Sequence, residues 1–214
     1  PVMLKEAVDA LDIDPSGTYV DCTFGGGGHS GEILKRLNEK GRLFAFDQDQ
    51  DAKANLTADT RLTFIPHNFR HLKRFLKLHE VSAVDGILAD LGVSSHQFDE
   101  PSRGFSIRFD APLDMRMDTT TGLSAAGYLA QVDEQDLVNV LFEFGEERFA
   151  RRIAKAIVEQ RKIAAIETTL QLAKLVEQVV PFKEKHKHPA TRTFQAIRIE
   201  INQELEQIKM VLEQ

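Results

Sequence analysis

The 214 residues carry 27 Lys and Arg against 33 Asp and Glu, a formal net charge of −6, so the chain as a whole is no general polyanion binder. Its apolar content of 42% supports a real core, and no apolar run approaches the roughly 18 residues that a membrane helix needs. The length suits one large domain or a domain with an insertion, and the single cysteine, Cys22, leads to the expectation of a reducing, cytoplasmic setting. In chain order, Glu6–Leu11 reads as a short leading helix stopped by the turn Asp14-Pro15-Ser16-Gly17. Thr18–Thr23 then reads as a strand that runs into Phe24-Gly25-Gly26-Gly27-Gly28-His29-Ser30-Gly31 and on into a helix over Glu32–Lys40. Cys22 is expected as a small buried strand residue.

Four glycines in a row remove every Cβ from this turn, so the backbone can take positive φ and approach a ligand closely. The helix start behind it adds free N–H groups and a partial positive charge, the arrangement by which open α/β sheets hold nucleotide-like cofactors. Gly26-x-Gly28-x-x-Gly31 also satisfies the dinucleotide fingerprint, so the loop alone leaves NAD and S-adenosylmethionine open. A second strand, Leu43–Phe46, ends at Asp47, nineteen residues past Gly28; a carboxylate there suits the ribose hydroxyls of an adenosine, a polar strand end being the plain alternative. A P-loop is excluded, because no Gly-Lys-Ser/Thr follows the glycines. Asp21, at the end of the first strand, favours a cofactor with a sulfonium and an ammonium group over a pyrophosphate, which it would repel.

Ala52–Ala58 is expected as a helix, Leu62–Ile65 as a third strand, and Phe69–Leu78 as a helix from its apolar residues at 69, 72, 75, 76 and 78. Val84–Asp90 is the fourth strand. Strands alternating with helices at this spacing predict an α/β fold with a parallel, doubly wound sheet, the first strand central and beside the fourth. The character changes after residue 100. Pro101–Thr121 reads as a long loop whose aromatic and methionine residues argue for ordering against a partner surface. Helices are expected thereafter over Ser124–Leu129, Glu134–Phe144, Glu147–Gln160, Thr169–Val180 and Thr193–Leu212, with Thr168-Thr169 capping the fourth of these and no strand after residue 90.

Asp90-Leu91-Gly92-Val93-Ser94-Ser95-His96-Gln97 stands where the fourth strand meets its loop, across the crevice from the glycines. Asp90 could accept a hydrogen bond from an exocyclic amine and stabilise the charge that develops on nitrogen during methyl transfer; a strand-end cap is the alternative. Together with the glycine loop, this segment, Arg103-Gly104-Phe105-Ser106, Leu113-Asp114-Met115-Arg116-Met117-Asp118, Gly145-Glu146-Glu147-Arg148 and His188-Pro189-Ala190-Thr191-Arg192-Thr193-Phe194-Gln195-Ala196 resemble the RsmH (MraW) family through essentially the whole chain. The resemblance implies a cytoplasmic, S-adenosylmethionine-dependent methyltransferase acting on the N4 amine of a cytosine in the decoding region of 16S ribosomal RNA. Its partner is then the rRNA or the small ribosomal subunit, with the oligomeric state open, a homodimer included. The implied fold is a class I (Rossmann-like) methyltransferase with an inserted helical domain.

By resemblance, the cofactor contacts fall on Gly27, Gly28, His29, Asp47, Phe69, Asp90 and Gln97, with Asp90 also catalytic. Read on its own, Phe69 is equally the first core residue of its helix, and His29 a helix cap. The implied domains are a first part of the core over 1–104, a helical substrate-recognition insertion over 105–188, and a return helix over 189–214. The segment Asp-Leu-Gly-Val replaces the Asn/Asp-Pro-Pro-Tyr/Phe of DNA amine methyltransferases, so a ring to stack on the base must come from elsewhere, with Phe98 and Phe105 nearest. Such a fold needs about three strands beyond the fourth and the family continues past this point, so the expectation is a fragment with an incomplete sheet; seven strands within these residues would overturn it.

Pro181–Arg198 gathers Lys183, Lys185, Lys187, Arg192 and Arg198, and a second basic run holds Arg148, Arg151, Arg152 and Lys155; both are candidates for RNA contact, with a solvated face as the alternative. His186 and His188 are too few for a metal site, and no metal is expected. Two other readings stand beside the methyltransferase. An NAD-dependent oxidoreductase shares the glycine pattern but lacks a Tyr-x-x-x-Lys pair, and a non-catalytic RNA-binding or assembly factor would not need the loop with Asp47 and Asp90.

Overall fold

The computed structural model describes residues 1–181 and 187–214. The chain divides into two compact units, one of residues 1–94 with 206–214 and one of residues 95–205. The boundaries expected at 104/105 and 188/189 therefore both fall inside the second unit.

The first unit is a parallel sheet of four strands in the order β3-β2-β1-β4: β1 (Thr18–Asp21), β2 (Arg42–Phe46), β3 (Leu62–Ile65) and β4 (Gly86–Leu88). Val20 pairs with Phe44 on one side and Ile87 on the other, which makes β1 central. The period of two sorts each strand between two cores. Tyr19, Leu43 and Leu88 point to α2 (Gly28–Arg36) and α1 (Leu4–Ala10), packing with Ile33, Leu34, Leu37 and Val8. Val20, Cys22, Phe44 and Phe46 point the other way, to Leu72 and Leu76 of α3 (Leu72–Leu78). Helices on both faces are why the strands read as unbroken apolar runs. Burial at each fully covered aliphatic or aromatic side chain is worth about 1.5–3 kcal/mol. On the edge strand β4, Ile87 is 48% exposed.

Residues 206–214 close this unit from the far end of the sequence. Val211 packs on the second core, Gln214 Nε2 donates to the Arg70 carbonyl, and its Oε1 accepts from Lys73 N–H.

The second unit is helical. It holds α4 (Ser95–Asp99), α5 (Ala125–Gln131), α6 (Glu134–Glu143), α7 (Ala150–Ile163), α8 (Thr169–Val179) and α9 (Thr191–Ile201), while α10 (Glu204–Leu212) leads out of it. Leu137, Leu141, Ile153, Ile157, Leu172 and Ile197 are fully buried. α9 packs on α5 and α6, so it belongs to this unit rather than returning to the core as expected. Thr168 caps α8 with a full capping box through Gln171.

Several boundaries differ from expectation. Residues 193–212 were expected as one helix, but Gln203 takes φ 50° and splits it in two. Residues 50–55 form a 3-10 turn capped by the Asp49 side chain, not a helix. After residue 90 the described residues pair as strand only at the isolated antiparallel bridge Pro112–Thr168.

The long loop 101–121 is ordered from within. Leu113, Met115 and Met117 are buried, and the Arg103 guanidinium donates to the Arg116 and Met117 carbonyls. Asn202 Nδ2 donates to the Met115 carbonyl, and its Oδ1 accepts from Met117 N–H. These bonds hold Met115 in the left-handed region at φ 62°.

Candidate functional site

At the carboxyl end of β1 the chain leaves the sheet through the glycine loop. Gly25 and Gly27 take φ 50° and 73°, a region that other residues enter at a cost. α2 begins at Gly28, inside the loop, four residues earlier than expected, because the glycines themselves form its first turn. Gly26 has neither constraint: its φ is not positive and a Cβ there would meet nothing within 4 Å. The fold alone does not require glycine at Gly26, whereas a ligand lying against the backbone would; this is the fit expected of a cofactor cradle.

Carboxylates surround the loop in two kinds. Asp21 is fully buried, accepts from Ser30 Oγ at 2.7 Å and from Thr23 N–H at 3.0 Å, and is pushed above the usual carboxylate range by burial. It ties β1 to α2 and does not offer an open charge to a ligand, contrary to the sequence argument that used its proximity. Burial pushes the neighbouring Cys22 thiol up to about 12, which leaves it as an inert core residue.

Asp47 and Asp90 are less buried than Asp21. Asp47 follows β2 and is half-buried, accepting from Gly25 N–H at 2.7 Å and from Asp49 N–H at 2.8 Å. Desolvation pushes its pKa up to about 6. Asp90 follows β4 with 39% of its side chain exposed, and its N–H donates to Thr23 Oγ1 at 2.8 Å. His29, 5% exposed, has Nδ1 3.8 Å from Asp90 Oδ2 and Nε2 3.3 Å from the Val2 carbonyl. Thus Gly27, Gly28, His29, Asp47 and Asp90 sit together at the carboxyl ends of β1, β2 and β4, where doubly wound sheets bind ligands.

Phe69 opens a 3-10 turn after β3, capped by Asn68, and packs partly buried on the second core. Gln97, buried on α4, belongs to the second unit. Phe105 is buried there too, with the Arg103 guanidinium 6.0 Å from its ring centre; this is the loop-anchor role rather than an open stacking face. Phe98 is half-buried under Arg108, whose guanidinium lies 4.7 Å from the ring centre. Lys187 is exposed, and Arg192 is half-buried with Nη1 donating to the Glu146 carbonyl. Lys183 and Lys185 lie outside the described residues. Gly26 and Thr23 were not singled out as site residues from the sequence. Gly26 was visible inside the glycine pattern, but Thr23 gave no signal before its bond to Asp90 N–H was seen.

The raised Asp47 pKa has a testable consequence. The carboxylate is the better acceptor of ribose hydroxyls, so affinity for an adenosine cofactor is expected to fall as pH drops below about 6. Asp47→Ala is expected to cost about ten- to a hundredfold in affinity at pH 8, the worth of charge-assisted bonds, and to flatten that pH dependence. Calorimetric titration from pH 5 to 8 checks both; an unchanged slope in the variant would remove Asp47 from the site. The folded pKa lies above the unfolded value of 3.8, so the folded chain holds a proton between pH 3.8 and about 6 that the unfolded chain has released. This group therefore lowers stability as pH rises through that window, by on the order of 2–3 kcal/mol in the limit.

The chain is 55% identical to "Ribosomal RNA small subunit methyltransferase H" of Flavobacterium johnsoniae, over all of this chain and 70% of that protein. It is 57% identical to the protein of the same name from Chromobacterium violaceum, covering 68% of it, and 53% identical to that of Thioalkalivibrio sulfidiphilus, covering 69%. A sequence model of the MraW methylase family matches residues 1–214. With the glycine cradle, the two strand-end carboxylates and the parallel sheet in place, the chain belongs to the MraW methylase family.

Proposed function

We propose that this chain uses S-adenosylmethionine to methylate the N4 amine of a cytosine in 16S ribosomal RNA, in the decoding region of the small subunit. The observation that carries the reading is the open space at Gly26, next to the Gly25 N–H that Asp47 accepts from and beside a helix start that supplies free N–H groups. The names of its relatives support the rRNA of the small subunit as the substrate. The choice of N4 rests on the family resemblance and on the Asp90 carboxylate, which can accept from an exocyclic N–H.

When bound, the cofactor supplies an electrophilic methyl group on a sulfonium. Gly27 and Gly28 let the backbone approach it, and Asp47 accepts from its ribose. Asp90 holds the amine N–H groups so that the nitrogen lone pair, otherwise delocalised into the ring, turns toward the methyl. Positioning of this kind supplies much of the acceleration in a displacement with no covalent enzyme intermediate. The Asp90 carboxylate would stabilise the positive charge that develops on the amine nitrogen during the transfer. Phe69 is a flat wall for the adenine, and Gln97, Lys187 and Arg192 are assigned to cofactor and RNA contact in the second unit.

Titration with S-adenosylmethionine and, separately, with NAD tests the reading. Heat with the first alone is expected. Heat with NAD alone would replace the methyltransferase with an oxidoreductase. RNA binding without heat from either cofactor would favour a non-catalytic RNA-binding factor.

A further inference from the structure

A second concave site lies wholly inside the helical unit, a cleft of ≈ 410 Å³ between α6 and the start of α7. One wall is a face of α6, where Gln135, Asn139 and Phe142 recur at helical spacing; the other is the turn into α7 with Arg148, Phe149, Arg151 and Arg152. Phe142 is 65% exposed and presents an open ring on the wall of the cleft. The three guanidiniums are exposed and form no ion pair among the described residues. Glu147 is the one acid in the lining, buried, with Oε1 accepting from Phe149 N–H at 3.0 Å.

Two features break local rules in the same direction. α7 starts at Ala150 with no side-chain cap and no acid in its first turn. Arg151 and Arg152 occupy that turn, where the helix dipole disfavours cations. The Glu147 carboxylate serves only the Phe149 N–H at this helix start, and an anion seated in the cleft would satisfy the exposed arginines beside it.

We propose that this cleft holds one unpaired nucleotide and the adjoining phosphates of single-stranded RNA. The chemistry selects this occupant over an acidic peptide. A flat exposed ring accepts any base by stacking, the Gln135 and Asn139 amides can pair with base edges, and guanidiniums bind phosphates in fork geometry. The volume lies in the range of small-ligand sites. Under the rRNA methyltransferase reading, on which it rests, the cleft gives the second unit a grip on the substrate strand. That grip would set which RNA is engaged, while the glycine-loop site sets the chemistry.

The test is fluorescence anisotropy of the whole chain with a labelled single-stranded oligoribonucleotide of about twelve nucleotides, with duplex RNA and poly-glutamate as competitors. Phe142→Ala is expected to weaken binding about tenfold and Phe142→Tyr to restore it. Arg148→Gln and Arg152→Gln are each expected to lower the slope of log affinity against log salt by about one. An affinity unmoved by Phe142→Ala, no binding by the parent chain at low salt, or equal competition by poly-glutamate would each overturn the proposal. The S-adenosylmethionine titration is run on the same proteins. Loss of cofactor heat with cleft-dependent RNA binding would sink the methyltransferase reading alone, and the converse would sink the cleft alone.

Discussion

Replacing Asp90 by Ala is expected to cut methyl transfer to small-subunit rRNA by at least about a hundredfold, the scale seen when one donor or acceptor aimed at developing charge is removed. The side chain stands at the carboxyl end of β4, beside the central strand, with 39% of its surface open and Oδ2 3.8 Å from His29 Nδ1. What it does for the fold runs through its backbone, whose N–H donates to Thr23 Oγ1. The variant should therefore fold with little change in thermal midpoint. Incorporation of labelled methyl groups and the affinity for S-adenosylmethionine, measured in parallel, separate chemistry from binding. Turnover within about threefold of the parent would take Asp90 out of the transition state, since that ratio is worth well under 1 kcal/mol.

The second large effect is expected in the glycine loop, where two neighbouring glycines should behave differently. Gly27→Val places a β-branched residue at φ 73°, with its Cβ 3.1 Å from Phe24 Cζ. Backbone strain of this kind costs on the order of 1–3 kcal/mol, so loss of stability and loss of cofactor binding should come together. Gly26→Ala meets nothing within 4 Å and carries no positive φ, so its thermal midpoint should stay within about 2 °C of the parent. If a cofactor lies against that backbone, the added methyl nonetheless weakens binding by tenfold or more. Differential scanning calorimetry and cofactor titration on both variants decide the matter. A Gly26→Ala protein that binds as the parent does would mean that the open space is not the cradle.

How much of this was legible in the sequence depended on how local the cause was. β3 was readable residue for residue, because Leu62–Ile65 is a short apolar run bounded by turn residues. The capping box at Thr168 was half visible, Gln171 completing it at the spacing the motif requires. The start of α2 was missed because Gly28 and Gly31 argue against helix by propensity, whereas the bond from Ser30 to Asp21 and the packing of Ile33 override them. The same bond turned Asp21 from an expected ligand group into a structural tie. The break after Asn202 left no mark, since Asn202 and Gln203 continue the polar face of a helix and the reason for the break lies 85 residues away at Met117. The positions of Asp47 and Asp90 at strand ends were legible because topology places them. The cleft on α6 was not, because its arginines looked like any solvated run until Phe142 and the uncapped start of α7 were seen beside them.

The first unit is closed by residues 206–214, which come from the opposite end of the chain to its sheet. A ribosome synthesising this chain releases all four strands well before Val211 and Gln214 exist to cover the second core. Contacts spanning 141 and 144 residues must therefore form last, and their loop-closure entropy makes them slow unless the helical unit folds first and shortens the path. Speed of maturation is then set by the insertion rather than by the sheet that carries the chemistry. A lesion deep in the helical unit, far from any ligand, would delay assembly of the cofactor half and lengthen the time its apolar face is open to aggregation.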